Sequence, residues 1–253
     1  MSDHVKTAAP AIDGAITILD ILSQSPHPLQ LSDISDIAGL PQATAHRIIN
    51  AMLQHNLAAL APGRRKTYTV GSKIYQLASS ILGRQAIVPS FHPIAEILKN
   101  EIHRTILLSL PIGNQVVIVA KLDAPATRSF NAYIGRTMPM HLSASGKAIL
   151  AARSVPEQLA YFRVESLIAG GLADESLALV NDLKRSARLG YAVSVNEIQQ
   201  DVGCVAALVV NNQGAPVAAI SACFTGAMLT QQSARTYSKN IVQAARQLSS
   251  LIL

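Results

Sequence analysis

The first apolar rhythm along the chain is helical. Ile12, Ala15, Ile16, Leu19 and Leu22 recur at three- and four-residue spacing, and Pro26 and Pro28 end the segment. Ser32 is placed to cap a short second helix over Asp33 to Ala38, with Asp33 and Asp36 favourably near its N-terminus. Gly39-Leu40 makes a tight turn, and Pro41 suits the first turn of a third helix, where its missing N–H is no loss. That helix runs to about His55, with Ala45, Ile48, Ile49 and Met52 as its apolar stripe. Its opposite face carries Gln42, Ala43, Thr44, His46, Arg47 and Asn50. Two short extended pieces follow, Leu57 to Ala61 and Thr67 to Val70. Between them Pro62-Gly63 signals a turn, and Arg64, Arg65 and Lys66 place three bases on it.

Three helices followed by a basic hairpin predict a winged helix-turn-helix. In that layout the third helix enters the major groove and the hairpin touches the neighbouring backbone or minor groove. Ser72 then caps a helix from Lys73 to about Arg84, with a stripe of Ile74, Leu77, Ala78 and Ile81 flanked by Tyr75 and Leu82. Apolar residues on more than one face fit a linker helix that also dimerises, and equally a helix buried in a monomer. Beyond residue 87 the pattern mixes helices and strands. Helices are predicted over Phe91 to Arg104 (behind Pro89), Ser145 to Ala152, Glu157 to Phe162, Glu175 to Leu189 (stopped by Gly190) and Gln231 to Leu253. Strands are predicted over Thr105 to Leu110, Val116 to Leu122, Ser129 to Ile134, Tyr191 to Val195, Val205 to Val210 and Pro216 to Ala222. Hairpin turns at 111–115 and 211–214 argue for a mainly antiparallel sheet flanked by helices, hence an α+β fold. The expected organisation is a flexible tail at 1–11, a winged helix-turn-helix at 12–71, a linker or dimerisation helix at 72–86 and a second domain at 87–253.

Composition narrows the class. Of 253 residues, 49% are hydrophobic and 14% charged, ample for packed cores and unlike a disordered chain. Aromatics are only 4% and Trp is absent, which argues against a stacking platform for single-stranded nucleic acid. No apolar run reaches the roughly 18 residues of a membrane span, and Met1 to Pro10 lacks an apolar stretch of signal-peptide length. A cytoplasmic protein with no membrane partner is therefore expected. Two cysteines, Cys204 and Cys223, make neither a disulfide framework nor a four-thiolate metal site. The net charge of +6 is concentrated in one interval: between Asp36 and Glu96 there is no acidic residue, but Arg47, Arg64, Arg65, Lys66, Lys73 and Arg84. Elsewhere the two signs balance. Such a local basic field suits a polyanion, although a solvated face without a partner has the same composition.

Enzyme motifs fail on spacing. A phosphate-binding loop needs Gly five residues before Gly146-Lys147 and a hydroxyl residue after it, but these positions hold His141 and Ala148. A Ser-x-x-Lys nucleophile needs Ser where Ala144 stands. Neither cysteine lies in a nucleophile motif, and His92, His103 and His141 are too scattered for a metal. No enzyme activity and no cofactor are expected.

Several separated segments resemble one family. Residues 16–22, then 31–49 with Leu-Pro-Gln-Ala-Thr-Ala-His-Arg at 40–47, then Tyr68-Thr-Val-Gly are similar to the DNA-binding half of IclR-type transcriptional regulators. Gly135-Arg-Thr-Met-Pro-Met-His-Leu-Ser-Ala-Ser-Gly-Lys-Ala resembles that family's G-R-x-x-P-x-H-x-x-x-x-G-K-A signature. Arg188-Leu-Gly-Tyr-Ala-Val and Cys204-Val-Ala-Ala follow in the family's order. The resemblance implies a homodimer, or a dimer of dimers, that grips double-stranded operator DNA through paired winged helices. It further implies a GAF-like or profilin-like sensor domain for a small organic acid or aromatic metabolite, and most simply a repressor. On DNA, Gln42, Ala43, Thr44, His46, Arg47 and Asn50 would read or position the groove, while Arg64, Arg65 and Lys66 supply sequence-independent affinity. His46 has a packing role as its alternative. Gln42-Ala43 replaces a frequent Lys-Ser, which points to altered base reading. In the sensor half the implied effector site is Ser143, Ala144 and Ser145 at a helix start, with Asn196, Glu197, Cys204, Ser221 and Cys223 across the pocket. Ser143 and Ser145 as plain caps, and Lys147 as a structural cation, are the competing readings. Phe224 is expected to make the pocket wall more apolar. A pocket filled by it would favour a constitutive repressor or architectural protein.

Overall fold

The computed structural model describes residues 7–63, 65–82, 87–125, 131–169, 173–225 and 229–252, with side chains at 81–82, 165–169, 173–178 and 225 outside the description. The chain divides into two compact units, Met1–Arg84 and Gln85–Leu253.

The first unit contains α1 (Pro10–Gln24), α2 (Leu31–Ala38), α3 (Gln42–Gln54), β1 (Ala58–Leu60), β2 (Tyr68–Val70) and α4 (Ser72–Leu82). Its core is Ile18 and Leu22 from α1, Ile34 from α2, Ile48, Ile49 and Met52 from α3, with Ala58 and Tyr68 from the hairpin. Helix α1 starts earlier than its apolar stripe suggests, because Pro10 serves as a first-turn residue. Helix α2 is capped by Gln30, not Ser32: Gln30 and Asp33 form a reciprocal capping box, and the Gln30 N–H donates to the Asp33 carboxylate at 3.1 Å. Gly39 ends α2 at φ 63, and the Leu40 N–H returns to the Ser35 carbonyl. A side chain at Gly14 would meet Ile48 Cδ1 at 2.6 Å, so α1 and α3 touch through that glycine. The β1–β2 hairpin gains a third rung from Leu29, which exchanges backbone bonds with Tyr68.

The second unit is a six-stranded, wholly antiparallel sheet in the order β5-β4-β3-β8-β7-β6. Its strands are β3 (Thr105–Ile112), β4 (Gln115–Leu122), β5 (Thr137–Pro139), β6 (Ala192–Val195), β7 (Val202–Val210) and β8 (Pro216–Thr225). Helices α5 (Ile87–Ile102) and α9 (Gln231–Ser249) cover one face, and α6 (Ala144–Ala151) lies against the other with α8 (Ala173–Leu189). Between α6 and α8 in sequence runs α7 (Val155–Ala169). Period-two alternation deals side chains to the two layers. Val205, Ala207 and Val209 of β7 and Ala218, Ile220, Ala222 and Phe224 of β8 face α5 and α9. Cys204, Ala206 and Leu208, with Ala219 and Cys223, face α6.

Several expectations change here: the helix expected over Glu157 to Phe162 spans Val155–Ala169, and β7 starts at Val202, ahead of Val205. Helix α5 begins at Ile87, ahead of Pro89, and carries Pro93 internally; Pro89 falls in the first turn, where no intrahelical N–H bond is lost. It stops at His103, which turns left-handed at φ 54. The strand predicted over Ser129 to Ile134 does not form at 131–134, which bends and turns instead; Ser129 and Phe130 lie outside the described residues. The edge strand is β5, which pairs with β4 through Thr137↔Val117. Finally, α9 ends at Ser249, short of the predicted Leu253.

Candidate functional site

On α3 the core stripe and the polar face separate cleanly. Ala45, Ile48, Ile49 and Met52 are buried, Gln42, Ala43, His46 and Arg47 are exposed, and Thr44 and Asn50 are half-buried. One turn apart on the helix, His46 and Asn50 are joined, with Asn50 Nδ2 3.2 Å from His46 Nε2. The pair is therefore presented as one polar unit. On the hairpin Arg65 and Lys66 are exposed, and the Lys66 ammonium lies 5.9 Å from the ring centroid of buried Tyr68. Arg64 lies outside the described residues. Gly71 closes the hairpin because any side chain there would strike the Asn56 carbonyl oxygen at 2.1 Å.

In the second unit a cavity opens between the α6 face of the sheet and α6 itself. Of the expected effector residues, Ser143, Ala144, Ser145, Cys204, Ser221 and Cys223 line it. Asn196 and Glu197 do not. They are exposed on the turn after β6, where Asn196 is left-handed at φ 60. The lining also includes residues outside the expected effector set: Arg136, Ser194 and the apolar Leu107, Ile118, Met138 and Ile198. Ser194 was discoverable, since it alternates with buried Ala192 along β6. Arg136 sits in the Gly135-Arg136 pair of the signature, and its guanidinium donates to the Asn131 carbonyl. The free volume is about 30 Å³. A water needs roughly 10–15 Å³, so this space is of the order of two waters.

Helix α6 is built for close approach. Ser143 is its N-cap, with its hydroxyl accepting from the Gly146 N–H at 3.0 Å. A side chain at Gly146 would strike Met140 Cα at 2.3 Å, which explains the glycine without any phosphate. Lys147 is 5% exposed, and its Nζ lies 3.0 Å from Asp182 Oδ2 and 2.8 Å from Glu197 Oε2. This ion pair ties α6 to α8 and to the β6–β7 turn, so Lys147 is a structural cation and does not line the cavity. Phe224 does not join the cavity wall, contrary to expectation. It is buried on the opposite face of the sheet, with its ring centroid 4.8 Å from that of Tyr237 on α9. Period-two alternation from Cys223 places it there, so it contributes nothing to the cavity wall.

Cys204 and Cys223 are directly paired across β7 and β8, with their sulfurs 3.1 Å apart. Burial pushes the Cys223 thiol well above its ordinary range, and the hydrogen bond and charge of Cys204 push it further the same way. Among the described residues no group of three or more His, Cys, Asp or Glu side chains is arranged to hold a metal, and no helix is long and apolar enough to cross a membrane.

Residues 11–61 match the IclR helix-turn-helix domain, and residues 79–250 match the C-terminal domain of the bacterial transcriptional regulator IclR. The chain belongs to the IclR family of transcriptional regulators. Among curated IclR proteins, the transcriptional repressor IclR of Escherichia coli is 24% identical over 238 residues, covering 92% of this chain and 86% of the repressor. The Thermotoga maritima IclR crystal structure matches with a TM-score of 0.76 at 22% identity, over 95% of this chain and 98% of that one. An IclR homolog from Microbacterium hydrocarbonoxydans, crystallised with 4-hydroxybenzoate, matches with a TM-score of 0.74 at 20% identity, over 95% and 98% of the two chains. The IclR relatives are regulators of transcription, not enzymes.

Proposed function

We propose that this chain is a cytoplasmic, ligand-responsive repressor that binds operator DNA as a homodimer or a dimer of dimers. The observation that carries the DNA half is the exposed row of Gln42, His46 and Arg47 on α3, held off the core beside a hairpin bearing Arg65 and Lys66. That row lies in an interval free of acidic side chains from residue 37 to 95. Arg47 offers a bidentate donor to guanine or a phosphate, and Gln42 an amide for adenine. Self-association is supported by apolar side chains left in solvent on α1 and α4, among them Ile12, Ile16, Tyr75 and Leu77.

The effector is a small organic acid or aromatic metabolite that enters the cavity under β7 and β8. Two features favour a carboxylate: the Arg136 guanidinium in the wall, and the first-turn amides of α6 at Ala144 and Ser145, which have no acceptor within the helix. The 4-hydroxybenzoate held by a homolog of this fold belongs to the same chemical class. Because the free space in the cavity is small, binding such an acid requires wall side chains to move. It thereby selects a second arrangement of the sensor. The small volume is also the observation that favours a constitutive repressor, and one experiment separates the two. The full chain is titrated onto promoter fragments of its own operon at low salt, with and without 4-hydroxybenzoate and simple aliphatic acids. Operator retention that changes with one acid, together with an equal reciprocal change in that acid's affinity, supports the sensor. Retention indifferent to all acids supports the constitutive reading. No retention on any duplex at low ionic strength overturns both.

A further inference from the structure

The chain has two cysteines in 253 residues, and the fold brings them into contact in the wall of one cavity. We propose that Cys204 and Cys223 form a reversible redox modification site, a dithiol that a hydroperoxide converts to an intramolecular disulfide. Three observations carry it. Cys204 and Cys223 are register partners on adjacent antiparallel strands. Cα atoms paired in this way stand about 4.5–5.5 Å apart, inside the roughly 4.4–6.8 Å range that a disulfide spans. The sulfurs are already 3.1 Å apart, so bond formation needs a small rotation about the side-chain bonds and no strand movement. Finally, the two thiols differ in access: Cys204 is half-buried, whereas Cys223 is fully buried.

That difference assigns the roles. The Cys204 sulfur, as thiolate, attacks the outer oxygen of a hydroperoxide. The O–O bond breaks, the remaining alkoxide or hydroxide leaves with a proton as alcohol or water, and Cys204 becomes a sulfenic acid. The Cys223 sulfur then attacks Cys204 Sγ and expels hydroxide, which takes the Cys223 proton and leaves as water. Two thiols lose two electrons in all, and one hydroperoxide is reduced to an alcohol and a water. Burial pushes the Cys223 thiol upward, which disfavours it as the first attacker on peroxide; in the second step its sulfur already lies beside Cys204 Sγ, 3.1 Å away, and the attack is intramolecular. A thiol reductant restores the pair.

The site rests on no reading of DNA or effector binding, so its test is independent of both. The reduced full-length protein is treated with hydrogen peroxide, denatured, alkylated and weighed intact. The expected result is loss of both alkylation sites, an unalkylated mass lower by about 2 Da, a monomer on a non-reducing gel, and full recovery with dithiothreitol. In Cys223→Ser the reaction stops at the sulfenic acid on Cys204, which dimedone captures. In Cys204→Ser, thiol loss at Cys223 slows by about tenfold or more. Both thiols remaining alkylatable after excess peroxide would overturn the proposal. So would a disulfide linking two copies, or sulfenic acid trapped on Cys223 at the wild-type rate.

Discussion

The two units solve opposite problems. In the first, α3 keeps Ala45, Ile48, Ile49 and Met52 in the core and presents Gln42, His46 and Arg47 to solvent. Its chemistry and its stability reside in different side chains. In the second, Ser143 caps α6, Gly146 allows α6 to touch Met140, and Ser143, Ala144 and Ser145 also line the cavity. There the same residues hold the fold and form the candidate binding wall. A surface that meets a large polyanion needs little enclosure, whereas a site for a small molecule must be enclosed to gain affinity. Substitutions in the reader should therefore cost binding, and substitutions around the sensor cavity should cost folding first.

The largest effect expected from that contrast is at Gly146. Gly146→Val places branched carbon against the Met140 backbone and should destabilise the second unit by about 3 kcal/mol or more. Calorimetry of the full chain should show its transition moving down while amide exchange in residues 10–54 stays protected. A wild-type transition would break the claim that α6 needs this contact.

Lys147→Met is next. It leaves Asp182 and Glu197 without their shared cation, but their side chains are 38% and 32% exposed, so water compensates much of the loss. A cost of about 1–2 kcal/mol is expected, read as a lower urea midpoint at unchanged slope. A neutral outcome would mean that the ion pair orders the β6–β7 turn without stabilising it.

Ser143→Ala removes the cap bond to Gly146 and should cost about 1 kcal/mol, again as a shift in urea midpoint. At the other end of the scale, Arg65→Ala with Lys66→Ala should alter stability by no more than about 0.5 kcal/mol. It should lower affinity for specific and random DNA alike and flatten the salt dependence by about 2 logarithmic units per decade. An unchanged salt slope would remove the hairpin from the interface. Arg47→Ala sharpens the contrast further, because it should lose discrimination between operator and random DNA while melting like the wild type.

Legibility followed the same divide. Helices α1 and α3 are readable because each carries a one-sided apolar stripe, and the polar face of α3 follows from the stripe directly. The Gln30 cap was missed because its partner Asp33 must reach back across a turn. In the second unit Cys204, Ser221 and Cys223 were found by resemblance, yet Phe224 was assigned to the wrong face, although alternation from Cys223 already excluded it. Asn196 and Glu197 lie between lining residues Ser194 and Ile198 but outside the cavity, since Asn196 is exposed in a left-handed turn and Lys147 engages Glu197. Arg136 is held at the wall by backbone bonds that Gly135 and Arg136 exchange with Ile118 of β4, and such pairing depends on a partner strand that local pattern does not identify.

Most helices, the basic interval and the family were legible in the chain, because periodicity, charge placement and motif order are local properties. Packing between distant segments set which face of the sheet each β7 and β8 residue joins, brought the two cysteines into contact and gave Lys147 its ion pairs with Asp182 and Glu197. Those outcomes depend on strand register and on which helix covers which face, and both are fixed by packing between segments far apart in the chain.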